Sequence, residues 1–164
     1  MPSQAHLGTL FQINVNPKGG VPKHAIPVTF VHHDHVSGDK QYHRRFHGGP
    51  ERAVCLFSLE RIQALQAEGH PIEPGSTGEN LTISGLDWEQ ITPGVCLQIG
   101  EQLELEISSY ARPCEQISDS FRMGKSARIS HLQYPGWSRV YARVLREGQV
   151  ETGDQVMIRM KDEG

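Results

Sequence analysis

The sequence predicts a mainly β fold, a compact mixed β-barrel with a few short helices. Seventeen Gly and ten Pro cut the 164 residues into short pieces, the punctuation of brief strands joined by turns. Several pieces alternate apolar and polar residues, most clearly Leu103-Glu104-Leu105-Glu106-Ile107-Ser108, as a strand with one buried face requires. A clear helical period occurs in one stretch, residues 59–68.

The elements follow in order. Residues 8–15 read as a strand with Leu10, Gln12 and Asn14 on one face and Phe11, Ile13 and Val15 on the other. Residues 16–23 form a Gly/Pro loop, and 26–31 return as a strand. Residues 32–50 hold too much Gly, His and charge for a core. Residues 54–57 are a short strand, and Ser58 is placed to N-cap a helix over 59–68. Leu59, Ile62 and Leu65 are its apolar stripe, and Gly69 ends it in the left-handed conformation. A Pro/Gly loop covers 70–78, a short strand 81–83, and a hairpin 94–108 turning at Gly100-Glu101. Residues 115–121 suggest a short helix and 122–136 an irregular, basic, solvated loop able to close over a ligand. Closing strands fall at 138–145 and 155–160, joined by turns at Gly148 and at Gly153-Asp154. No repeat and no linker interrupts the chain, which reads as a single domain, 1–164, with its core over about 8–156.

Net charge is −3, so the basic excess of a general nucleic-acid binder is missing. No run approaches the length of apolar residues needed to cross a membrane, and no signal peptide opens the chain. Three widely spaced Cys without a CxxC make neither a disulfide framework nor a structural zinc site, which predicts a reducing, cytoplasmic setting.

Cys114 stands apart from the other two. Cys55 and Cys96 lie in apolar strand contexts, where cysteine behaves as a small hydrophobe. Cys114 follows Arg112-Pro113 in a polar stretch. Proline stiffens that turn, and a neighbouring guanidinium favours the thiolate, the form that attacks or binds metal. Two further segments exceed what a plain barrel needs: Gly38-Asp39-Lys40-Gln41-Tyr42-His43-Arg44-Arg45-Phe46-His47-Gly48-Gly49-Pro50, and Gly75-Ser76-Thr77-Gly78-Glu79-Asn80-Leu81. Gly136-Trp137 and the run from Arg143 to Asp154 complete the set.

In this order and at these distances, the segments resemble the MOSC domain family, named for the C-terminal domain of molybdenum cofactor sulfurases. The resemblance runs from about Gly8 to Val156 and is nearest to stand-alone bacterial members linked to detoxifying N-hydroxylated base analogues. It implies a β-rich, pyruvate-kinase-barrel-like fold and handling of the molybdenum cofactor, an anionic pterin with a dithiolene and a phosphate. Where many members have Gly-Leu ahead of the Gly-Asp pair, this chain has His35-Val36-Ser37. The family's single Cys maps to Cys114, which either ligates molybdenum or carries a persulfide. No pyridoxal phosphate domain is recognisable, so sulfur would have to come from a donor protein.

The residues suit that chemistry. Thiolate is a soft ligand fit for molybdenum, and it can equally hold a persulfide. Gly48, Gly49 and Gly78 allow close backbone approach, and Arg44, Arg45, Arg52 and Arg112 supply donors for a phosphate. Glu79 and Asn80 can hydrogen-bond a pterin edge, and Asp39 can orient His43 or His47. Plainer roles exist for each: His47-Gly48-Gly49 as a tight turn, Asn80 closing a turn, Arg112 paired with Glu115, Arg143 as a rim charge, Trp137 as a packing anchor.

The leading expectation is a molybdenum-cofactor protein reducing N-hydroxylated small molecules. With no flavin fingerprint and no iron–sulfur Cys cluster, it needs an external reductase. A non-enzymatic sulfur or cofactor carrier is the alternative, and a homodimer is compatible with either. A metal hydrolase using the His32–His47 region is the third reading. Within it, His33 and His35 of an extended segment could converge and His32 could not; a solvated loop is the plainer and favoured reading of the run.

Overall fold

The structure, a computed structural model, describes residues 7–40 and 49–159. The Gly48, His43, Arg44, Arg45 and His47 expectations lie outside the described residues. The described strands are β1 (Leu7–Val15), β2 (His24–Ile26), β3 (Val28–Val31), β4 (Val54–Ser58), β5 (Leu81–Ser84), β6 (Cys96–Ile99), β7 (Leu103–Tyr110), β8 (Val140–Arg146), β9 (Gly148–Glu151) and β10 (Gln155–Arg159). The α-helix is α1 (Leu59–Ala67).

Seven strands close into a barrel. The ring runs β10, β6, β7, β8, β4, β5, β1, and β1 pairs back to β10. Its pairings are antiparallel except β4–β5, which is parallel. Strand β2 adds to β1 outside the ring, and β3 and β9 form a separate two-stranded ribbon. The interior is a continuous apolar cluster that includes Leu10, Ile13, Leu56, Ile83, Ile99, Leu105 and Ala142.

Local chemistry explains where the sequence expectations hold and where they bend. The helix starts as expected: the Ser58 hydroxyl accepts from the Arg61 N–H at 3.1 Å, a cap worth about 1 kcal/mol. Leu59, Ile62 and Leu65 are its buried residues. In β1 the simple alternation fails at Phe11. Leu10 pairs with Ile83 and Gln12 with Thr82, so Phe11 is an extra, bulged residue. A bulge resets the faces, and Leu10 and Ile13 are both fully buried while Phe11 is 43% exposed.

The strand expected over 26–31 is two strands. Pro27 has no N–H to give a ladder; β2 stays on β1, and β3 leaves to pair with β9. Gly148 opens β9 rather than forming a turn. A Cβ there would meet Gln102 Cβ at 2.5 Å, so glycine serves close packing.

The parallel β4–β5 pair positions the site. Parallel neighbours need a crossover, here through α1 and the following loop, and both strands begin at one end of the barrel. Cys55 and Asn80 meet at that end. The Asn80 N–H donates to the Cys55 carbonyl at 2.8 Å, and the Cys55 N–H donates to Asn80 Oδ1 at 3.0 Å.

Candidate functional site

A cleft opens where the loop 75–80, the turn at Arg112-Pro113-Cys114 and the start of β8 come together. Cys114 is half-buried on its wall, in extended backbone (φ −138°, ψ 176°) just ahead of a 3-10 helix, Glu115–Ser120. The Cys114 carbonyl accepts from the Ile117 N–H at 3.2 Å, which ties the thiol turn to that helix. The Ser120 hydroxyl donates to Ser76 Oγ at 2.8 Å, which fastens the helix to the loop opposite.

The described lining carries four cations, Lys23, Lys40, Arg112 and Arg139, and no Asp or Glu. Arg139 is the buried one, 6% exposed. Its Nη1 donates to the Thr77 carbonyl at 2.7 Å and its Nη2 to the Arg112 carbonyl at 3.1 Å. Arg112 itself is exposed at the rim and forms no ion pair with Glu115. Gly78 has φ +85°, and a Cβ there would stand 3.0 Å from Val21 Cγ1, so the loop passes close to the cleft only because it is glycine.

Behind the cleft lies a satisfied polar network. Asp39 Oδ2 accepts from Lys23 Nζ at 2.6 Å and from Asn80 Nδ2 at 2.9 Å, and Asp39 Oδ1 accepts from the Asn16 N–H at 2.9 Å. Asp39 is therefore committed to these partners; the His43 and His47 it was expected to orient lie outside the described residues. Glu79 does not face the cleft. It is fully buried, and its carboxylate accepts from Thr77 Oγ1 (2.8 Å), Thr82 Oγ1 (3.0 Å) and the Gly75 N–H (3.0 Å). Those bonds fold the loop, so a pterin edge cannot reach Glu79. Asn80 lines the cleft, yet its amide is occupied by Cys55 and Asp39.

Two more cleft groups escaped the sequence reading. Cys55 and Tyr141 face each other across the β4–β8 pairing. Burial pushes the Cys55 thiol up to about 11; the Arg139 and Lys23 cations oppose the shift, and the Glu79 and Asp39 carboxylates add to it. Burial pushes the Tyr141 phenol up to about 12, helped by Cys55 and Cys114 and opposed by Arg139 and Arg52. Arg52 lies over the Tyr141 ring at 5.3 Å instead of lining the cleft. Cys96, expected to be buried, is half-buried at the start of β6.

Other expected positions stand away from the cleft. Gly49, at φ +89°, precedes a short 3-10 helix, Pro50–Arg52. Arg143 pairs with Glu106 (3.2 Å) and Glu51 (3.4 Å) on the barrel surface, as a rim charge. Trp137 is stacked between Arg61 (4.4 Å) and Arg128 (4.2 Å). The basic segment after Phe121 docks on the end of α1: Arg128 grips Glu68 with two bonds of 2.9 and 2.8 Å, which hold that carboxyl below its ordinary value.

The histidine run does not make the His33–His35 convergence that the metal reading needs. The His32 N–H donates to the His35 carbonyl at 2.8 Å, so the segment reverses instead of extending. His32 and His35 stack at 4.4 Å, and His33 turns to the Val144 carbonyl at 3.2 Å. Among the described residues, no group of three or more His, Cys, Asp or Glu is arranged to hold a metal ion. A second cavity, bounded by Trp88, Ile91, Tyr110 and His131, contains neither a thiol nor a Lys or Arg in its described lining.

Residues 43–157, more than half of the chain, match the MOSC domain family. The chain belongs to that family. This MOSC domain is 29% identical over 136 residues to the uncharacterized protein YflK of Bacillus subtilis, covering 82% of the chain and 60% of YflK. It is 30% identical over 118 residues to a protein named Reductase from Gibberella moniliformis, covering 68% of the chain and 20% of that protein. It thus spans less than two thirds of YflK and a fifth of the Reductase protein. The crystal structure of YiiM from Geobacillus stearothermophilus shares the fold, with a TM-score of 0.68 and 21% identity, over 96% of this chain and 77% of that one. The YuaD structure from Bacillus subtilis does so at a TM-score of 0.71 and 17% identity, covering 93% and 95%. No helix among the described residues is long and apolar enough to cross a membrane.

Proposed function

We propose that this MOSC domain binds the molybdenum cofactor in the cleft, with the Cys114 thiol toward molybdenum, and reduces N-hydroxylated small molecules. The carrying observation is the cleft's composition: one half-buried thiol among four cations, with no carboxylate in the described lining. That donor set fits the group. A soft sulfur suits molybdenum, and the cations suit a phosphate-bearing, anionic pterin. When bound, the cofactor supplies two-electron redox chemistry, which turns an N-hydroxylated amine plus two protons into the amine and water.

The chain's own residues have definable roles in this reading. The turn ahead of the Glu115–Ser120 helix holds Cys114 at the wall, and Arg139 ties that turn to the loop carrying Thr77. Gly78 admits the ligand close to backbone. Tyr141, on the cleft wall, keeps its phenolic proton at neutral pH. Electrons come from a separate reductase domain or protein. A relative named Reductase, of which this chain spans 20%, supports a reductive setting.

Anaerobic loading of wild type and Cys114→Ser with molybdenum cofactor, then desalting and metal analysis, tests the reading. Near-stoichiometric molybdenum on wild type and its loss from the variant are expected. Equal retention by both overturns the role of Cys114, and retention by neither overturns cofactor binding. A sulfur-carrier reading is favoured by one fact: no hydrogen bond engages the Cys114 thiol among the described residues, which leaves it open to a sulfur donor. A persulfide on Cys114 in protein that lacks reductase activity would select that reading.

A further inference from the structure

Arg139 is a buried arginine whose charge is met by no carboxylate among the described residues. Arg61, Arg128, Arg143 and Arg159 each have a carboxylate partner, as Lys23 does in the cleft. Arg139 is the most enclosed cation of the described lining, yet its two printed partners are neutral carbonyls. No carboxylate stands within ion-pair distance of it among the described residues, and its Nε has no partner. A buried charge without a counter-charge is costly. An anion entering the cleft would offset that cost by supplying the missing counter-charge.

We infer that Arg139 is the anion-anchoring residue of the cleft and that its ligand is a phosphate-type dianion. Arg112 and Lys40 share the lining, so the ligand meets more than one positive charge, from different walls. A tetrahedral oxyanion presents oxygens in several directions and suits such a set better than a planar carboxylate. Arg139 also joins the two walls, through Thr77 on one and Arg112 on the other. An anion held there braces the turn that carries Cys114. Arg139 is thus a positioning residue for the thiol as well as a binding residue. The inference deepens the cofactor reading, in which a phosphate enters this cleft, but its test needs no cofactor.

The test is calorimetric titration of inorganic phosphate into wild type, Arg139→Gln and Arg139→Lys. Phosphate binds the wild type, Arg139→Gln weakens it about tenfold or more, and Arg139→Lys, which keeps the charge without the fork, falls between. No binding to wild type, or Arg139→Gln within about twofold of it, overturns the inference. Should Arg139→Gln fail to fold, hydrogen exchange on wild type decides. Phosphate-dependent protection is expected at the amides of residues 77–80, Arg112 and Cys114, and its absence there overturns the inference. Molybdenum retention is scored separately. Phosphate binding that depends on Arg139 without molybdenum retention sustains the inference and removes the cofactor reading; retention without Arg139-dependent phosphate binding does the reverse.

Discussion

The Arg139 guanidinium donates to the backbone carbonyl of Arg112 at 3.1 Å, two residues ahead of Cys114. A side chain immediately ahead of β8 therefore holds the thiol turn, and the same guanidinium grips the Thr77 carbonyl at 2.7 Å. The cleft's two walls are joined by one residue, and its end of the barrel is further fixed by the Asn80–Asp39–Lys23 chain of bonds. Three consequences for stability follow from this arrangement.

Asn80→Ala leaves the Cys55 N–H without its acceptor and removes one donor from Asp39. Unsatisfied buried groups are expensive, so the variant loses about 2–4 kcal/mol in urea unfolding. A loss under about 1 kcal/mol would show that water replaces the amide at no cost.

Stability declines in alkali. Cys55 has a folded value of about 11 against an ordinary 9.0, and Tyr141 about 12 against 10.0. Both folded values are raised, so the folded state keeps protons that the unfolded chain releases. The contribution is complete below pH 9 and is lost between pH 9 and 12, at up to about 1.4 kcal/mol per pH unit for each group. Cys55→Ala should flatten the limb from pH 9 to 11, and Tyr141→Phe the limb from 10 to 12, in melting temperatures taken across that range. An unchanged slope in Cys55→Ala would mean the thiol ionises as freely folded as unfolded.

Gly75 and Gly153 both have positive φ but differ in surroundings. A Cβ at Gly75 would meet the Lys23 carbonyl oxygen at 2.6 Å and Asn14 Cγ at 3.1 Å, whereas one at Gly153 meets nothing within 4 Å. Gly153→Ala should cost about 1 kcal/mol, the conformational penalty alone. Gly75→Ala should cost at least about 2 kcal/mol more, by displacing the network beneath the cleft. Equal losses by chemical denaturation would refute the steric part.

Local signals were legible in the chain and long-range ones were not. The helix was readable because Ser58, the 59/62/65 stripe and Gly69 lie within one short window. The β6–β7 hairpin was readable for the same reason, with Ile99 opposite Leu103. The family resemblance pointed to Cys114, and the structure places that residue in a cationic cleft. Arg139, Cys55 and Tyr141 were missed because strand pairing, not sequence distance, joins them: Cys55 meets Tyr141 from 86 positions away. One signal was present. Arg139, just before β8, and Tyr141 and Arg143 within it alternate with Val140, Ala142 and Val144, whose side is core. Covering loops then bury Arg139 and leave Arg143 at the surface, and no local pattern encodes which is covered. Glu79 was misread for the converse reason: its partners, Gly75, Thr77 and Thr82, make an acidic residue internal.

The closing pairing of β10 between β6 and β1 bears on how the protein is made. Leu7 lies opposite Met157 and Val156 opposite Ile99. Until residues 155–159 leave the ribosome, β1 and β6 each keep an unpaired edge, and the ring cannot shut. Contacts so distant along the chain form slowly, and open edges invite pairing between chains. The arrival of β10 is therefore the step that closes the ring's open edges to other chains.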